Sequence, residues 1–425
     1  MRLVLALWVL LVLAAAIAPA QPMGGRDLVI ANSGTGMPGI YHITKDGQRY
    51  GSIWLVAPPS YPNWVELWSD NQDLAVNFTE RVSQTASAFW RMTDTGVITT
   101  LFAAFVAGSS PNSAHLSEDG ASWYVSSTGD NAVFRIPSTG GSATTLGVVV
   151  YPNAVCLDAV TGDLIVGGST SYPALPNPPT PGTGFLLRWD ARTGASIGTI
   201  VQGILRVSGV VPDLEQGGFL VSRFDQPGVV HVSPQGQVTS ILSGGVWNNA
   251  IQVEEDGTMW TIDVADITRF DRYGTVIRKF QFPVGGPALN GIAIHGSRVL
   301  TGFGTAKPGA RYTIRLRSQR STEGGKPYLL AASLTLGPGF RIGGRWIYLG
   351  LDPVFLVSVR NLLPAVFENF AGVLDVFGNG QAALVVPASF PPSTGIRVHV
   401  QGIILDPQAP AGVSSMTNTL HFTLE

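Results

Sequence analysis

The sequence predicts an all-β protein: a β-propeller of six blades, or of seven, followed by a β-sandwich. The clearest sign is the segment Asn249–Asp263, where apolar and polar residues alternate on either side of an Asp-Gly turn, as they do in a β-hairpin. The same arrangement returns at Asn112–Ser126, and weaker copies begin at Asn63, Asn153, Ser208 and Asn290. Short strands that repeat about every 40–50 residues are typical of propeller blades.

Six units of this kind fit between residues 27 and 296. Each holds three short strands and closes with a strand that begins at Asn, or at Ser in one case; the units are 27–72, 73–120, 121–162, 163–217, 218–257 and 258–296. In a six-bladed ring the first strands of the chain would pair with Leu289–His295, which closes the ring and leaves no exposed sheet edge. A seventh blade would instead start at Arg298–Phe303.

The first residues have the pattern of a signal peptide, predicted over residues 1–20. Arg2 supplies the positive charge, Leu3–Ile17 is an apolar run, and Ala18-Pro19-Ala20 fits the cleavage pattern. We therefore expect a protein that is secreted or held in the periplasm or cell envelope, with no stable membrane span after cleavage. The propeller would occupy residues 21–304.

The blade repeat ends before the last quarter of the chain. Residues 305–310 are predicted as a linker, because they combine Pro, Gly and small residues. Alternating apolar stretches then continue without the repeat, and Phe377–Gly380 contains the Asn-Gly pair of a tight hairpin. Residues 311–425 are accordingly interpreted as a β-sandwich, which would either bind a surface or cap the propeller.

Composition narrows the function classes. Charged residues make up only 13% of the chain and the formal net charge is −2, so nucleic acid is not an expected partner. Cys156 is the single cysteine, which rules out an internal disulfide. Its apolar neighbours predict a buried, unreactive thiol in a core strand.

The repeated turns resemble those of one propeller group. The Glu-Asp-Gly-x-x-Trp turns at Glu118–Trp123 and Glu255–Trp260, together with Asn290-Gly-Ile-Ala, are similar to the NHL-type propellers, which include virginiamycin-lyase-like and gluconolactonase-like proteins. The resemblance covers about residues 27–304. The C-terminal part resembles β-sandwich modules of exported bacterial proteins.

This resemblance implies an enzyme, but only some of the residues expected in its active site are present. Gluconolactonase-like enzymes hold a divalent cation with an early Glu and with Asn and Asp side chains; the partial matches are Asn153, Asn290, Asp130, Asp225 and Asp263. The early Glu-Gly-Pro is replaced by Leu28-Val-Ile-Ala. Lyase-like relatives need a His and Glu pair, for which the chain offers only His115, a residue more often found in a core or turn. No cofactor is predicted, and the sequence leaves open whether a divalent cation binds in the channel.

The candidate ligand-binding residues are those that open the closing strands, together with one aromatic residue on a long loop; they are Asn63, Asn112, Asn153, Ser208, Asn249, Asn290 and Tyr172. If the closing strands are innermost, the amides would ring one mouth of the channel and could bind a polar ligand or a cation. The alternative is that each Asn caps a turn through its own backbone. Long loops at Asn77–Ser87 and Ser169–Gly184 are expected on the same face.

The leading functional prediction is an exported, non-enzymatic protein that binds a protein or glycan on this face. A metal-dependent lactonase-like or lyase-like enzyme is the alternative, and a structural envelope component is a third reading. Trp64, Trp68, Trp123 and Trp260 could stack on sugars, but their regular positions favour packing between sheets.

Overall fold

The computed structural model describes residues 28–425 except for the short segments 34–37, 49, 56–59, 68–73, 81–86, 94–96, 106–109, 118–120, 171–182, 225–227, 245–248, 255–256, 283–288, 295–298, 319–322, 343–344 and 392–394. Several strands before residue 106 are described mainly by their backbone. The predicted signal peptide and Tyr172 lie outside the described residues.

The described residues up to Ile294 form six four-stranded antiparallel sheets, which are the blades of a propeller. The first three strands of the chain are β1 (Leu28–Asn32), β2 (Gly39–Ile43) and β3 (Tyr50–Leu55). Blade I then contains β4 (Ser60–Leu67), β5 (Leu74–Glu80), β6 (Ser87–Met92) and β7 (Ile98–Phe105), and blade II contains β8 (Pro111–Leu116), β9 (Ser122–Ser127), β10 (Ala132–Pro137) and β11 (Thr144–Val148).

The remaining blades have the same order from the innermost strand outward. Blade III contains β12 (Pro152–Leu157), β13 (Leu164–Ser169), β14 (Gly184–Trp189) and β15 (Ser196–Ile204), and blade IV contains β16 (Val207–Pro212), β17 (Phe219–Arg223), β18 (Gly228–Val232) and β19 (Val238–Ser243). Blade V contains β20 (Ala250–Val253), β21 (Met259–Ile262), β22 (Asp266–Phe270) and β23 (Val276–Gln281). Blade VI combines β24 (Leu289–Ile294) with β1, β2 and β3.

The ring closes with strands from both ends of the propeller, as predicted. β24 pairs with β1, so that Leu28 lies opposite Ile294. The innermost strand of each blade contacts that of the next, and β24 contacts β4 to complete the circle. The six innermost strands therefore form a closed circle, and the all-β propeller prediction is confirmed.

Alternating side chains of an innermost strand pack on opposite neighbours. In β12, Val155 and Leu157 join the apolar cluster shared with blade II, whereas Ala154 and Cys156 join the cluster shared with blade IV. Burial also raises the pKa of the Cys156 thiol well above its usual value, as expected for an unreactive cysteine. Trp123 is fully buried and makes an edge-to-face contact with Phe89 of blade I, which confirms the packing interpretation for this tryptophan.

The chain after blade VI forms two further four-stranded sheets and a two-stranded hairpin. One sheet contains β25 (Val299–Phe303), β26 (Arg311–Arg317), β32 (Asn379–Val385) and β30 (Phe367–Glu368); the other contains β31 (Ala371–Val373), β27 (Pro327–Ser333), β33 (Ile396–Leu405) and β34 (Val413–Leu424). The hairpin is β28 (Leu336–Ile342) with β29 (Arg345–Leu349), and a short helix, α1, covers Pro353–Val359.

The change from blades to C-terminal sheets occurs earlier than the sequence indicated. β25 pairs with β26 along its whole length, from Val299 opposite Arg317 to Phe303 opposite Thr313. In the part of the chain that the structure describes, β25 is therefore not the start of a seventh blade. The predicted linker 305–310 instead lies inside the β25–β26 hairpin, because the strand before it belongs to the same sheet as the strand after it.

One apolar cluster is shared by the two C-terminal sheets, with Tyr312 and Ile314 from one and Val400 and Phe422 from the other. The β-sandwich interpretation of this region remains a proposal that this shared cluster supports. No helix among the described residues is long and apolar enough to cross a membrane.

Candidate binding face

The two ends of the propeller have different connections, and we name them accordingly. The bulge face is the end where the innermost strands begin and where the second and third strands of each blade are joined. The turn face is the opposite end, with the turns between first and second strands and between third and fourth strands. The chain leaves β24 at the turn face, so the C-terminal sheets start from that end.

The candidate residues at the start of the innermost strands occupy β-bulges. The pairing with the second strand skips one residue in five blades, and the residues skipped are Asn63, Asn112, Asn153, Ser208 and Asn290. Asn249 directly precedes β20. A bulge residue is unpaired in the ladder and its side chain is redirected. The sequence carried a signal for this, because Pro62, Pro111 and Pro152 precede three of these Asn residues and proline in a strand is confined to edges, first positions and bulges.

In blades II and III the amides connect neighbouring blades. The Asn112 amide donates to Thr128 Oγ1 at 2.8 Å within its blade and to Asn153 Oδ1 of the next blade at 3.5 Å. The Asn153 amide, which is 8% exposed, donates to the carbonyl of Val207 in blade IV at 3.0 Å. These side chains therefore hold adjacent blades together at the bulge face.

The same connection recurs where the ring closes. The Asn249 amide donates to the carbonyl of Leu289 at 2.5 Å and to Asn290 Oδ1 at 3.5 Å, both in the next blade. Asn290 in turn donates to Ser33 Oγ at 2.7 Å. We call Asn112, Asn153, Asn249 and Asn290 the amide belt. The alternative that each Asn caps its own turn is wrong for these four, because their amides bond the adjacent blade or the neighbouring strand instead. The side chain of Asn63 is outside the described part.

Blade IV interrupts the amide belt. Ser208 replaces the Asn, and its hydroxyl lies 3.1 Å from Ser222 Oγ of the same blade. The next residue, Gly209, is in close contact with blade V: a Cβ at this position would lie 2.7 Å from Ser222 Oγ and 3.3 Å from the Cα of Ala250. The backbones of blades IV and V therefore approach closely at this end of their interface.

Two arginines lie at this interruption. Arg206 precedes β16, and its guanidinium stacks on the Phe224 ring at 4.3 Å from the ring centroid. The Phe224 N–H donates to the Arg206 carbonyl at 3.0 Å, which keeps these residues together. Arg223 ends β17; it is half-buried, and its Nε is buried without a hydrogen-bond partner. Burial lowers the pKa of the Arg223 guanidinium from its usual value.

A cavity of about 410 Å³ opens on the same face at the outer part of blade III. It lies at the base of the long connection between β13 and β14, and its lining includes Thr170, Thr183, Phe185 and Gln202. The short connection from β15 to β16 starts beside this cavity, because Gly203 lines it, and it ends at Arg206.

A strained aromatic residue, which the sequence did not reveal, supports the base of the same long connection. Tyr151 has a φ of 40° and Asn131 a φ of 51°, and the Tyr151 N–H donates to Asn131 Oδ1 at 2.9 Å. The Tyr151 carbonyl accepts from the N–H of Ser169, the last residue of β13. Such strain costs on the order of 1–3 kcal/mol and is concentrated at functional sites. A backbone angle of this kind cannot be read from the residue type.

The described acidic residues that matched a metal site in part make local hydrogen bonds. Asp130 accepts from Ser127 Oγ at 2.5 Å, and Asp263 accepts from the N–H of Val264 at 2.6 Å. Asp225 is outside the described residues. Across the described residues, no group of three His, Cys, Asp or Glu side chains could hold a metal ion. His115 lies in β8, and desolvation lowers its pKa to about 4, so the imidazole is neutral near pH 7.

Ion pairs, rather than amides, connect the blades at the turn face. Asp213 of blade IV is 3% exposed, and its carboxylate accepts hydrogen bonds from both terminal nitrogens of Arg272 in blade V, at 2.9 and 2.7 Å. Glu254 of blade V forms an ion pair with Lys45 of blade VI, with Nζ and Oε1 2.6 Å apart. Aspartates close the neighbouring turns: Asp190 accepts from the hydroxyl and the N–H of Thr193, and these bonds lower the pKa of its carboxyl.

Comparison with solved structures agrees with the geometry of the ring. A structure described as a nidogen/laminin complex matches with a TM-score of 0.52 at 13% identity, over 64% of this chain and 98% of the other. At this identity the similarity shows a shared fold alone.

Two further matches have lower TM-scores. A gluconolactonase from Xanthomonas campestris has a TM-score of 0.42 at 12% identity, over 70% of this chain and 95% of the other. The β-propeller domain of Myceliophteria thermophila Cps50 (Swd1) has a TM-score of 0.41 at 14% identity, over 67% of this chain and 95% of the other. No protein-family model and no curated protein matches the sequence. The chain is therefore assigned to the β-propeller fold by its geometry and by the first of these similarities.

Proposed function

We propose that this chain is an exported, non-enzymatic binding protein whose bulge face holds a glycan or protein ligand. The observation that carries the proposal is the cavity of about 410 Å³ at the base of the β13–β14 connection. It combines hydroxyl and amide side chains with an aromatic residue, which suits a ligand that both donates and accepts hydrogen bonds. Long connections on a rigid scaffold are where binding residues concentrate.

The position of the C-terminal sheets supports the same face. Because the chain leaves blade VI at the turn face, the sheets after Ile294 start from the end opposite the cavity. We propose a C-terminal β-sandwich that anchors or orients the propeller while the bulge face stays accessible. Export rests on the signal-peptide pattern of residues 1–20.

The test uses a pair of matched glutamine variants. The chain from residue 21 onward is applied to arrays of glycans and of peptides, and the hits are titrated with Gln202→Ala and Gln235→Ala. Both glutamines are exposed, but Gln202 lines the cavity and Gln235 lies on the turn face. Weaker binding by Gln202→Ala alone supports the proposal.

Two other outcomes would overturn it. Lactone turnover that a chelator abolishes would favour the metal-dependent lactonase-like or lyase-like alternative. Retention of every ligand by all bulge-face variants, or binding to none, would favour a structural envelope component.

A further inference from the structure

We propose that the C-terminal sheets bind the surface of an anionic lipid bilayer through a cluster of exposed leucines around α1. The proposal rests on the proposed function, in which these sheets anchor the propeller, and it names what they are anchored to. All five exposed leucines among the described residues lie in one stretch of the chain; they are Leu334, Leu351, Leu356, Leu362 and Leu363. We call them the leucine edge.

α1 packs with one side on the C-terminal sheets. Ser358 is buried, and its hydroxyl accepts the N–H of Ala332 in β27 at 2.9 Å. Phe355 is buried as well and makes an edge-to-face contact with Phe340 of the β28–β29 hairpin, with the ring centroids 5.8 Å apart. The inner side of α1 therefore has its partners, whereas Leu356, the residue after Phe355, is exposed on the outer side.

The chain after α1 combines apolar side chains with bonded backbone groups. Asn361 has a φ of 50°, a left-handed conformation that commonly ends a helix, and the N–H of Leu362 donates to the carbonyl of Val357 at 3.0 Å. The N–H of Val366 donates to the carbonyl of Leu363 at 2.9 Å. Lipid tails offer no partner for a free N–H, so these bonds allow the leucines to enter the bilayer interface without exposing these two donors.

Hydrogen bonds place the leucines along one end of the C-terminal sheets. The N–H of Leu334, the residue after β27, donates to Oδ2 of Asp352 at 2.7 Å, and Asp352 follows Leu351 and caps the start of α1. Beyond the other end of α1, the carbonyl of Val366 accepts the N–H of Val385, the last residue of β32, at 2.8 Å. The leucine edge therefore runs beside α1 from the end of β27 to the end of β32.

This end of β32 is the one away from the entry of the chain. The chain comes from blade VI into β25 at Val299, which lies opposite Arg317 in β26. Arg317 in turn lies opposite Asn379, the first residue of β32, whereas Val385 is the last. A bilayer on the leucine edge would therefore meet the sheets at the end opposite the point where the propeller joins them.

The charge of the chain is divided in the way that an anionic surface favours. Residues 299–425 contain ten Lys and Arg against six Asp and Glu, whereas residues 21–298 contain 15 against 22. An anionic bilayer attracts the C-terminal part and repels the propeller, which turns the leucine edge towards the lipid.

Arg360 supplies a positive charge within the leucine edge. It is the only charged residue between Asp352 and Glu368, and its exposed side chain forms no ion pair with a described residue. Glu425, the last residue of the chain, follows β34, which lies two strands away from β27 in the same sheet. A lipid phosphate is therefore a suitable partner for Arg360 when the leucines enter the layer below it.

The residue types favour lipid over a protein partner. Protein interfaces draw most of their binding energy from Trp, Tyr and Arg, and leucine is under-represented among the residues that contribute most. Segments that bind the membrane interface present apolar residues such as leucine together with cations. Between Leu351 and Val366 the one aromatic residue, Phe355, is buried, so the large exposed apolar side chains of this segment are leucines.

The experiment measures co-sedimentation of the chain from residue 21 onward with vesicles of phosphatidylcholine and phosphatidylglycerol, and with vesicles of phosphatidylcholine alone. We expect binding to the mixed vesicles, about tenfold weaker binding to phosphatidylcholine, and a smaller difference at high salt. Leu362→Ser and Leu351→Ser should each weaken binding about tenfold or more, because an apolar side chain no longer leaves water. Arg360→Gln should weaken binding to the mixed vesicles about fivefold.

Val376→Ser is the matched control, because it removes an apolar side chain that is 74% exposed in the turn between β31 and β32, at the other end of the sheets. It should bind vesicles as the unaltered protein does, and equal losses in Val376→Ser and Leu362→Ser would overturn the proposal. A protein that binds neither kind of vesicle but keeps its array ligand would overturn the lipid surface alone. A dimer in analytical ultracentrifugation that Leu362→Ser dissociates, without vesicle binding, would assign the leucine edge to a second copy of the chain.

Discussion

The two faces of the propeller hold their blades together by different chemistry. On the turn face, buried carboxylates such as Asp213 pair with cations of the next blade, and short turns are closed by aspartate side chains. On the bulge face, neutral amides such as Asn153 reach the next blade from β-bulges. Ion pairs therefore connect blades on the turn face and amides on the bulge face, which also holds the cavity of blade III and Arg223, whose Nε is buried without a hydrogen-bond partner.

The largest expected loss of stability comes from breaking an ion pair on the turn face. Arg272→Leu would leave Asp213, which is 3% exposed, without its bidentate partner. Breaking a buried pair in this way should lower the free energy of unfolding by about 3–5 kcal/mol, measured by urea denaturation. Lys279→Ala is the control, because Lys279 is 51% exposed and its pair with Asp266 should contribute less than about 1 kcal/mol. Equal losses in the two variants would contradict the account of the turn face.

The next effect depends on pH and concerns His115, which lies between the two faces in β8. Its pKa is lowered from the usual value of 6.5 to about 4. Between these two pH values the unfolded chain therefore binds a proton that the folded chain does not. Stability is therefore complete above pH 6.5 and falls as the pH drops towards 4. His115→Gln should remove up to about 3 kcal/mol of this acid-induced loss.

The measurement for His115 is the urea midpoint at pH 7 and at pH 4.5, in the variant and in the unaltered protein. His399 and His421 in the C-terminal sheets also have lowered pKa values, owing first to burial, so a residual slope should persist in the variant. An unchanged slope in His115→Gln would show that the imidazole is hydrated in the folded state.

A smaller effect is expected on the amide belt. Asn153→Ala removes the bond to the Val207 carbonyl, and the Asn112 amide loses the Asn153 oxygen but keeps its bond to Thr128. We expect a loss of about 1–2 kcal/mol in the free energy of unfolding. Ser208→Ala should cost less than Asn153→Ala, because Ser208 is half-buried whereas Asn153 is buried. If Asn153→Ala kept its full stability but lost ligand binding, the belt amides would instead be ligand-binding groups.

The smallest expected effect on stability is at Arg223. Because no described residue pairs with this guanidinium, Arg223→Gln should change the free energy of unfolding, measured by urea denaturation, by no more than an ordinary surface substitution does, about 0.5 kcal/mol. The stability losses of Arg223→Gln and Arg272→Leu can be compared directly, since the two variants remove the same charge from opposite faces of adjacent blades. A large loss of stability in Arg223→Gln would mean that the charge has a structural partner.

The fold followed from local patterns. The hairpins at Asn112–Ser126 and Asn249–Asp263 and the closing strand near Leu289 were readable because alternation and Asp-Gly turns are local signals. The pairing of β25 was missed, because a strand of a blade and a strand of the C-terminal sheet have the same alternation. Which sheet a strand joins is decided by distant residues.

The site was predicted only as a set of positions. Repetition placed the Asn series correctly at equivalent points of the blades, but the acceptors of their amides lie in the next blade, about 40 residues away in sequence for Asn249 and Leu289. The unpaired state of Arg223 was invisible, since it depends on the absence of a neighbour in space. Tyr172 lies outside the described residues, so its predicted role stays a prediction.

The central claim is that the belt amides act as hydrogen-bond donors to the adjacent blade or the neighbouring strand and not as metal ligands, and Asn249→Asp tests it most directly. The substitution replaces the NH₂ that donates to the Leu289 carbonyl with an oxygen, while it would strengthen a calcium site. The measurement is the melting temperature of this variant with calcium and with chelator. We predict a lower melting temperature that calcium does not restore, because a carboxylate facing a carbonyl has lost its bond. A melting temperature that calcium raises above that of the unaltered protein would contradict the account and make the belt a cation site.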